Sequence, residues 1–148
     1  MKWIAFAAGL LVGLIAVMAG VGALLPRAHR ATRRARYRQP PEAIWAVIAG
    51  PPDWQPHAEK VPFEVVEERA PLRRVTRIAD PNLPYGGTWT YEIEPAPGGA
   101  WLRITENGEV YNPIFRFLSR FVFGHTGTME TYLRDLGGLF REKVRIEE

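Results

Sequence analysis

Residues 112–141 read NPIFRFLSRFVFGHTGTMETYLRDLGGLFR. Apolar side chains recur in this stretch at intervals of three and four residues, which is the period of an α-helix. They are Phe115, Leu118, Val122, Met129, Tyr132, Leu133, Leu136 and Phe140. Asn112 is a favourable N-cap, and Pro113 suits the first helical position because no hydrogen bond is needed there. The pattern predicts one long amphipathic helix that Gly124 and the Thr126–Thr128 run weaken near its middle.

Five runs upstream of this helix have the alternation of β-strands. They cover residues 32–38, 63–68, 72–78, 88–94 and 101–110. In the fourth run, Trp89, Tyr91 and Ile93 fall on one face, as a half-buried strand requires. Residues 97–99, Pro-Gly-Gly, predict a hairpin turn between the last two runs. We therefore predict an α+β fold, in which an antiparallel sheet of about five strands packs against the C-terminal helix.

The N-terminus is an unbroken apolar run over residues 3–25. As a helix it measures about 34 Å, enough to cross the hydrocarbon core of a bilayer. Lys2 alone precedes the run and six arginines follow it within residues 27–38. The positive-inside rule then places the C-terminal side in the cytoplasm. A cleaved signal peptide is the alternative, since Val21 and Ala23 offer a small-residue cleavage site.

These features predict three segments and a location. Residues 1–26 are a single-pass transmembrane anchor, with the lipid bilayer as partner through residues 3–25, and the membrane is the cell (inner) membrane. Residues 27–38 are a basic juxtamembrane segment that runs into the first strand, and residues 33–148 are the cytoplasmic domain. Ala5, Gly9 and Gly13 lie four residues apart on one helix face, a spacing typical of closely packed membrane helices, so we also predict a homodimer through this face.

Charge and composition exclude several classes of function. The net charge is +3, but residues 39–148 contain 12 basic and 16 acidic residues. The basic character therefore belongs to residues 27–38, and a nucleic-acid-binding face on the domain is not expected. Cysteine is absent, and His29, His57 and His125 are not spaced as metal ligands. We predict neither a metal site nor a cofactor.

Three blocks of sequence resemble one superfamily. They are PPEAIWAVIAGPPDW (residues 40–54), GGTWTYEIEP (86–95) and ITENGEVYNPIFRFLSRFVFGHTGTM (104–129). They are similar to bacterial membrane-anchored members of the SRPBCC superfamily, which includes START-like, polyketide cyclase/dehydrase and lipid-transport proteins. The resemblance implies a helix-grip fold, a curved sheet around a long C-terminal helix, with an apolar cavity between them. Members usually carry about two more strands before Phe63, so this chain is shortened by an edge hairpin.

The resemblance and the strand alternation together predict which residues meet a ligand. The predicted cavity wall consists of Trp89, Tyr91, Ile93, Leu102, Ile104, Phe115, Leu118, Val122, Met129 and Leu133. Such pockets are lined by apolar and aromatic side chains with a few polar groups.

Three residues are weak candidates for acid–base chemistry. Strand alternation places Glu106 on the inner face with Leu102 and Ile104, where burial would raise its pKa. Alternatively, a bulge at residues 107–108 turns Glu106 to solvent, or Glu106 pairs with Arg116. The other two candidates are Tyr111, at the predicted cavity mouth, and His125, at the weak point of the helix.

The sequence leaves three functions open. The first is a membrane-tethered binding module for a hydrophobic or lipid-like small molecule. The second is a polyketide cyclase- or dehydratase-like enzyme that uses Glu106, Tyr111 or His125. The third is a protein-interaction domain without a ligand, in which the shortened sheet pairs with a partner strand. We favour the first, and therefore a non-enzymatic role.

Overall fold

The computed structural model describes residues 1–55 and 61–148. The helices are α1 (Lys2–Leu24), α2 (Pro41–Ile48), α3 (Pro113–Leu118) and α4 (Gly127–Leu139). The strands are β1 (Ala28–Tyr37), β2 (Phe63–Arg69), β3 (Arg73–Ile78), β4 (Tyr85–Ala96), β5 (Gly99–Val110) and β6 (Ile146–Glu147). A 3₁₀ turn at Pro52–Trp54 follows α2, and a π-helical turn at Ser119–Phe123 follows α3. His57 lies outside the described residues.

The strands form one curved antiparallel sheet in the order β2-β3-β4-β5-β1-β6. With α4 against one face, this confirms the predicted α+β helix-grip fold. The sheet has one strand more than predicted, because residues 146–147 pair with β1 at its edge. At the opposite edge, β2 leaves Phe63, Val65 and Val66 exposed. Whether a partner strand pairs there stays a prediction.

The hairpin of β4 and β5 is the centre of the sheet. Its turn is Pro97–Gly98, and Gly98 has a φ of +73°, a conformation that glycine adopts without strain. Pairing is regular from Ala96 opposite Gly99 to Tyr85 opposite Val110. The predicted bulge at residues 107–108 is therefore wrong. The irregularity lies in β2 instead, between Val65 and Glu67.

The C-terminal helix begins as predicted but is not continuous. The Asn112 side chain accepts hydrogen bonds from the backbone N–H groups of Ile114 and Phe115, at 2.9 and 3.3 Å. The chain then passes through the π-helical turn to Gly124, whose φ of +74° ends the helix. The prediction of a single long helix over residues 112–141 was thus wrong. The part that we predicted to be weak, around Gly124, interrupts the helix completely. Of the two C-terminal helices, α4 supplies the residues that are buried in the core against the sheet.

The core lies between α4, α2 and the inner face of the sheet. Tyr37 is fully buried and donates a hydrogen bond from Oη to the backbone oxygen of Leu133 at 2.8 Å. This bond ties β1 to α4. The buried cluster comprises Ala35, Tyr37, Ile44, Ile48, Ile93, Ala100, Leu102, Ile104, Met129, Tyr132, Leu133 and Leu136.

The N-terminal helix is apolar, 23 residues long and almost wholly exposed. Its length and composition suit a membrane span or a signal sequence. Ala5, Gly9 and Gly13 are exposed on it, and the homodimer through them stays a prediction. The first strand begins at Ala28 rather than Thr32, because residues 28–37 all pair with β5. Four of the six arginines in residues 27–38, namely Arg30, Arg33, Arg34 and Arg36, are therefore part of the sheet.

Candidate functional site

Glu106 lies on the inner face of β5, where strand alternation predicted it. It stands opposite Ala31 of β1 and Trp89 of β4, and its side chain is 23% exposed. Burial raises the pKa of Glu106, while a hydrogen bond from Trp89 and the nearby His125 act in the opposite direction. The alternative pairing with Arg116 is not found, because Arg116 donates instead to the backbone oxygens of Leu25 and Tyr111. A partly buried carboxylate therefore faces the inside of the fold.

His29 completes this arrangement, and it was not among the predicted site residues. It is the second residue of β1, opposite Gly108 of β5, and its Nε2 lies 3.6 Å from Oε1 of Glu106. Gly108 makes room for the ring, since a Cβ at this position would lie 2.3 Å from Cε1 of His29. Alternation along β1 would have revealed His29, which shares a face with Ala35 and Tyr37. Because the first strand was predicted to begin at Thr32, His29 lay outside it.

His125 joins the same group from the other side of the fold. It lies in the loop between Gly124 and α4, and its ring stacks on that of His29 with centroids 3.9 Å apart. Burial lowers the pKa of both imidazoles. Two stacked neutral imidazoles do not direct their nitrogen atoms toward a single metal ion. No group of side chains that could hold a metal was found within the described residues. We call Glu106, His29, His125 and Trp89 the Glu106 cluster.

The Glu106 cluster has one buried polar atom without a hydrogen-bond partner among the described residues. Among residues 1–55 and 61–148, Nδ1 of His29 is buried and makes no hydrogen bond. A buried polar atom without a hydrogen bond is costly, and such atoms occur where a ligand or water binds. The cluster thus offers a hydrogen-bonding position beside a carboxylate.

An aromatic wall extends from the Glu106 cluster into the core. The ring of Tyr132 on α4 lies 5.9 Å from Trp89, 5.6 Å from Tyr91 and 5.1 Å from Trp54, measured between centroids. Tyr91 hydrogen-bonds Thr76 and Tyr132, and burial raises its pKa to about 12. At neutral pH these tyrosines are therefore uncharged. One end of the concave face is polar, and the adjoining surface is aromatic.

The predicted cavity residues separate into three groups. Ile93, Leu102, Ile104, Met129 and Leu133 belong to the buried core. Trp89 and Tyr91 pack against that core. Leu118 is half-buried, whereas Phe115 and Val122 are exposed and lie apart from the others. That these residues line a ligand cavity stays a prediction.

Tyr111 lies away from the Glu106 cluster. It is exposed, contacts Gly86 and hydrogen-bonds Glu109. It lines an open cavity of about 680 Å³ beyond the paired ends of β4 and β5, together with the charged residues Glu64, Arg77 and Asp80. This charged surface does not suit an apolar ligand.

The two histidines predict how stability depends on pH. Their folded pKa values are lowered, so their contribution to stability is complete above about pH 6.5 and is lost as pH falls through the folded pKa. We expect the double substitution His29→Asn and His125→Asn to reduce the fall in melting temperature between about pH 7.5 and about pH 5.5. Thermal unfolding of the full chain in detergent measures this. An unchanged fall would show that neither imidazole is buried as described.

Comparisons with known proteins identify the fold. No protein-family model matches the chain, and no curated protein matches its sequence. An uncharacterised protein from Rhizobium leguminosarum has a TM-score of 0.58 at 14% identity, over 78% of this chain and 97% of that one. A protein from Mesorhizobium loti has a TM-score of 0.58 at 16% identity, over 76% and 97%.

An enzyme has the same architecture. Norcoclaurine synthase from Thalictrum flavum, solved as a point mutant with a transition-state analogue, has a TM-score of 0.54 at 10% identity. The match covers 76% of this chain and 93% of that one. At these identities the likeness shows the fold alone. Together with the curved sheet and its C-terminal helix, it shows that this chain has a helix-grip fold.

Proposed function

We propose that this protein is a membrane-tethered binding module of the SRPBCC type, which holds a hydrophobic or lipid-like small molecule at the cytoplasmic face of the inner membrane. The observation that carries the proposal is the Glu106 cluster. It places a carboxylate and an unpaired imidazole nitrogen on the inner face of the sheet, next to aromatic side chains. Sites for small apolar molecules combine such walls with a few polar groups that fix orientation.

The chemistry of the cluster defines the polar end of the ligand. An ionised carboxylate only accepts hydrogen bonds, whereas a neutral imidazole nitrogen donates or accepts. Glu106 and Nδ1 of His29 therefore suit a hydroxyl or an amine, and they do not suit a second carboxylate. The apolar body of the ligand would contact Trp89 and Tyr132. The ligand class is accordingly an apolar molecule with a donor group at one end.

The tether rests on α1 and on the charges after it. The helix is long enough to cross a bilayer, and the arginines follow directly. Arg33 and Arg34 form ion pairs with Glu130 and Glu147 of the same domain. Arg27 and Arg30 are exposed next to α1, where each would add roughly 1 kcal/mol of attraction to an anionic leaflet. The anchor would keep the domain beside its source of ligand.

Acid–base catalysis, as in a polyketide cyclase or dehydratase, is a second candidate, favoured by the raised pKa of Glu106. Glu106→Gln keeps the size of the side chain but removes its ability to transfer a proton. If the protein is a dehydratase, this variant should retain a molecule heavier by one water than the molecule retained by the wild type. Recovery of the same molecule from both would support binding alone.

Photolabelling tests the binding module directly. The full chain in detergent would be irradiated with a long-chain alcohol that carries a diazirine near its hydroxyl, and then digested with trypsin. Cleavage after lysine and arginine places Glu106 in the peptide 104–116 and His125 in the peptide 121–134, while most of α1 lies in the peptide 3–27. We expect labelling of the two domain peptides to fall several-fold in Glu106→Leu, with α1 labelled equally in both proteins. Equal labelling of the domain peptides in both proteins would refute the site.

A further inference from the structure

The segment Pro113–Phe123, which comprises α3 and the π-helical turn, is an apolar surface outside the core. Phe121 and Phe123 are 59% and 69% exposed, and Phe115 and Val122 are exposed as well. No acidic residue occurs from residue 111 to residue 129, and Arg120 is exposed in the middle of the segment. A cluster of exposed aromatic residues usually marks a surface that something covers.

This segment is fixed against the end of α1. A Cβ at Gly22 would lie 1.8 Å from the backbone oxygen of Pro113, so glycine alone permits the observed contact between the two backbones. Arg116 is buried and donates from Nη1 to the backbone oxygen of Leu25 at 2.9 Å. The backbone N–H of Val110 donates to the backbone oxygen of Arg27, also at 2.9 Å. These contacts therefore fix the position of α3 along the axis of α1, next to its last turn.

We propose that Pro113–Phe123 lies in the interface of the leaflet in which α1 ends, with its phenylalanines at the boundary between headgroups and acyl chains. The partner is a lipid bilayer, because the apolar surface continues from α1 onto α3. The charges agree, since basic and aromatic segments without acids bind the surface of anionic membranes. This inference rests on the proposed membrane tether.

The consequence is a defined orientation of the domain. His125 follows Phe123 by two residues, so a segment seated in the interface would hold the Glu106 cluster next to the bilayer surface. An apolar ligand could then move between membrane and site without crossing bulk water. Burial of the interfacial side chains in the bilayer would also restrict rotation of the domain about the axis of α1.

The absence of cysteine makes the test direct, because a single introduced cysteine carries a probe at a chosen position. Leu11→Cys reports on α1, Val122→Cys on the interfacial segment, and Val66→Cys on the far edge of the sheet. All three positions are exposed, and Val66 matches Val122 in residue type. Each full-length variant would carry a nitroxide and be reconstituted in vesicles of phosphatidylcholine and phosphatidylglycerol. Power saturation then compares access of oxygen, which partitions into lipid, with access of a water-soluble nickel chelate.

We expect oxygen access to exceed nickel access several-fold at residues 11 and 122, with residue 122 at the shallower depth, about 5–10 Å into the interface. Residue 66 should show the reverse preference. A water-exposed probe at residue 122 together with a lipid-exposed probe at residue 11 would overturn the inference and leave the tether standing. A water-exposed probe at residue 11 would overturn both.

Discussion

Replacing Glu106 with leucine is expected to stabilise the fold at neutral pH and to empty the proposed binding site. Burial raises the folded pKa of this carboxyl, so the stability that it contributes is complete below about pH 4.5 and is lost as pH rises through the folded pKa. Leucine carries no charge and fits beside Leu102 and Ile104 on the same face. A gain in stability with a loss of function is typical of a residue kept for binding.

Thermal unfolding of the full chain in detergent, at about pH 5 and about pH 8, measures the effect of Glu106→Leu. We expect the difference in melting temperature between variant and wild type to increase with pH. Glu68→Leu is the matched control, because Glu68 is exposed on β2. It should change neither the pH dependence nor ligand retention. A destabilised Glu106→Leu variant at pH 8 would mean that the carboxylate is a structural partner rather than a site residue.

Replacing Leu133 with alanine is expected to cost about 2–5 kcal/mol of unfolding free energy, the range for deleting a large buried side chain. Leu133 is 0% exposed, and it belongs to the cluster that joins α4 to the sheet. Its backbone oxygen also accepts the hydrogen bond from Tyr37, which the substitution leaves in place. The loss should therefore come from packing alone.

Chemical denaturation of the full chain in detergent provides the measurement. Leu139→Ala is the control on the same helix, because Leu139 is 48% exposed, and it should cost less than about 1 kcal/mol. Equal losses for the two variants would contradict the orientation of α4. They would also remove the basis for placing Tyr132 in the aromatic wall.

Local periodicity explains what the sequence revealed about the site. The alternation that places Leu102, Ile104 and Glu106 on one face depends only on the strand geometry of β5. The Asn112 cap depends on one side chain and the two N–H groups beside it. Features of this kind need no knowledge of distant contacts, so they were predictable.

The features that were not predicted depend on pairing between residues that are distant in sequence. β1 begins at Ala28 because β5 extends far enough to pair with it, and a strand start set in this way has no local signal. His29 was missed for that reason. β6 is only two residues long and is a strand only because β1 lies beside it. Contacts between distant segments also bring His125 to His29.

The period of a helix also does not identify what covers it. Phe115 and Val122 have the spacing of a core-facing stripe, and we predicted that they face the sheet. The break at Gly124 separates them from Met129 and Leu133, and the structure leaves them exposed. An apolar face suits a protein core and a bilayer equally well by composition. The position of α3 against α1 and the absence of acidic residues from 111 to 129 favour the bilayer.

Native mass spectrometry of the full chain, released from detergent micelles, most directly tests whether the Glu106 cluster holds a ligand. We predict that the wild type and Glu68→Leu carry a single apolar molecule with a hydroxyl or amine group. Glu106→Leu should be recovered folded and without that molecule. A wild-type chain that is always bare, or the same molecule on Glu106→Leu at equal occupancy, would contradict a binding function at this site.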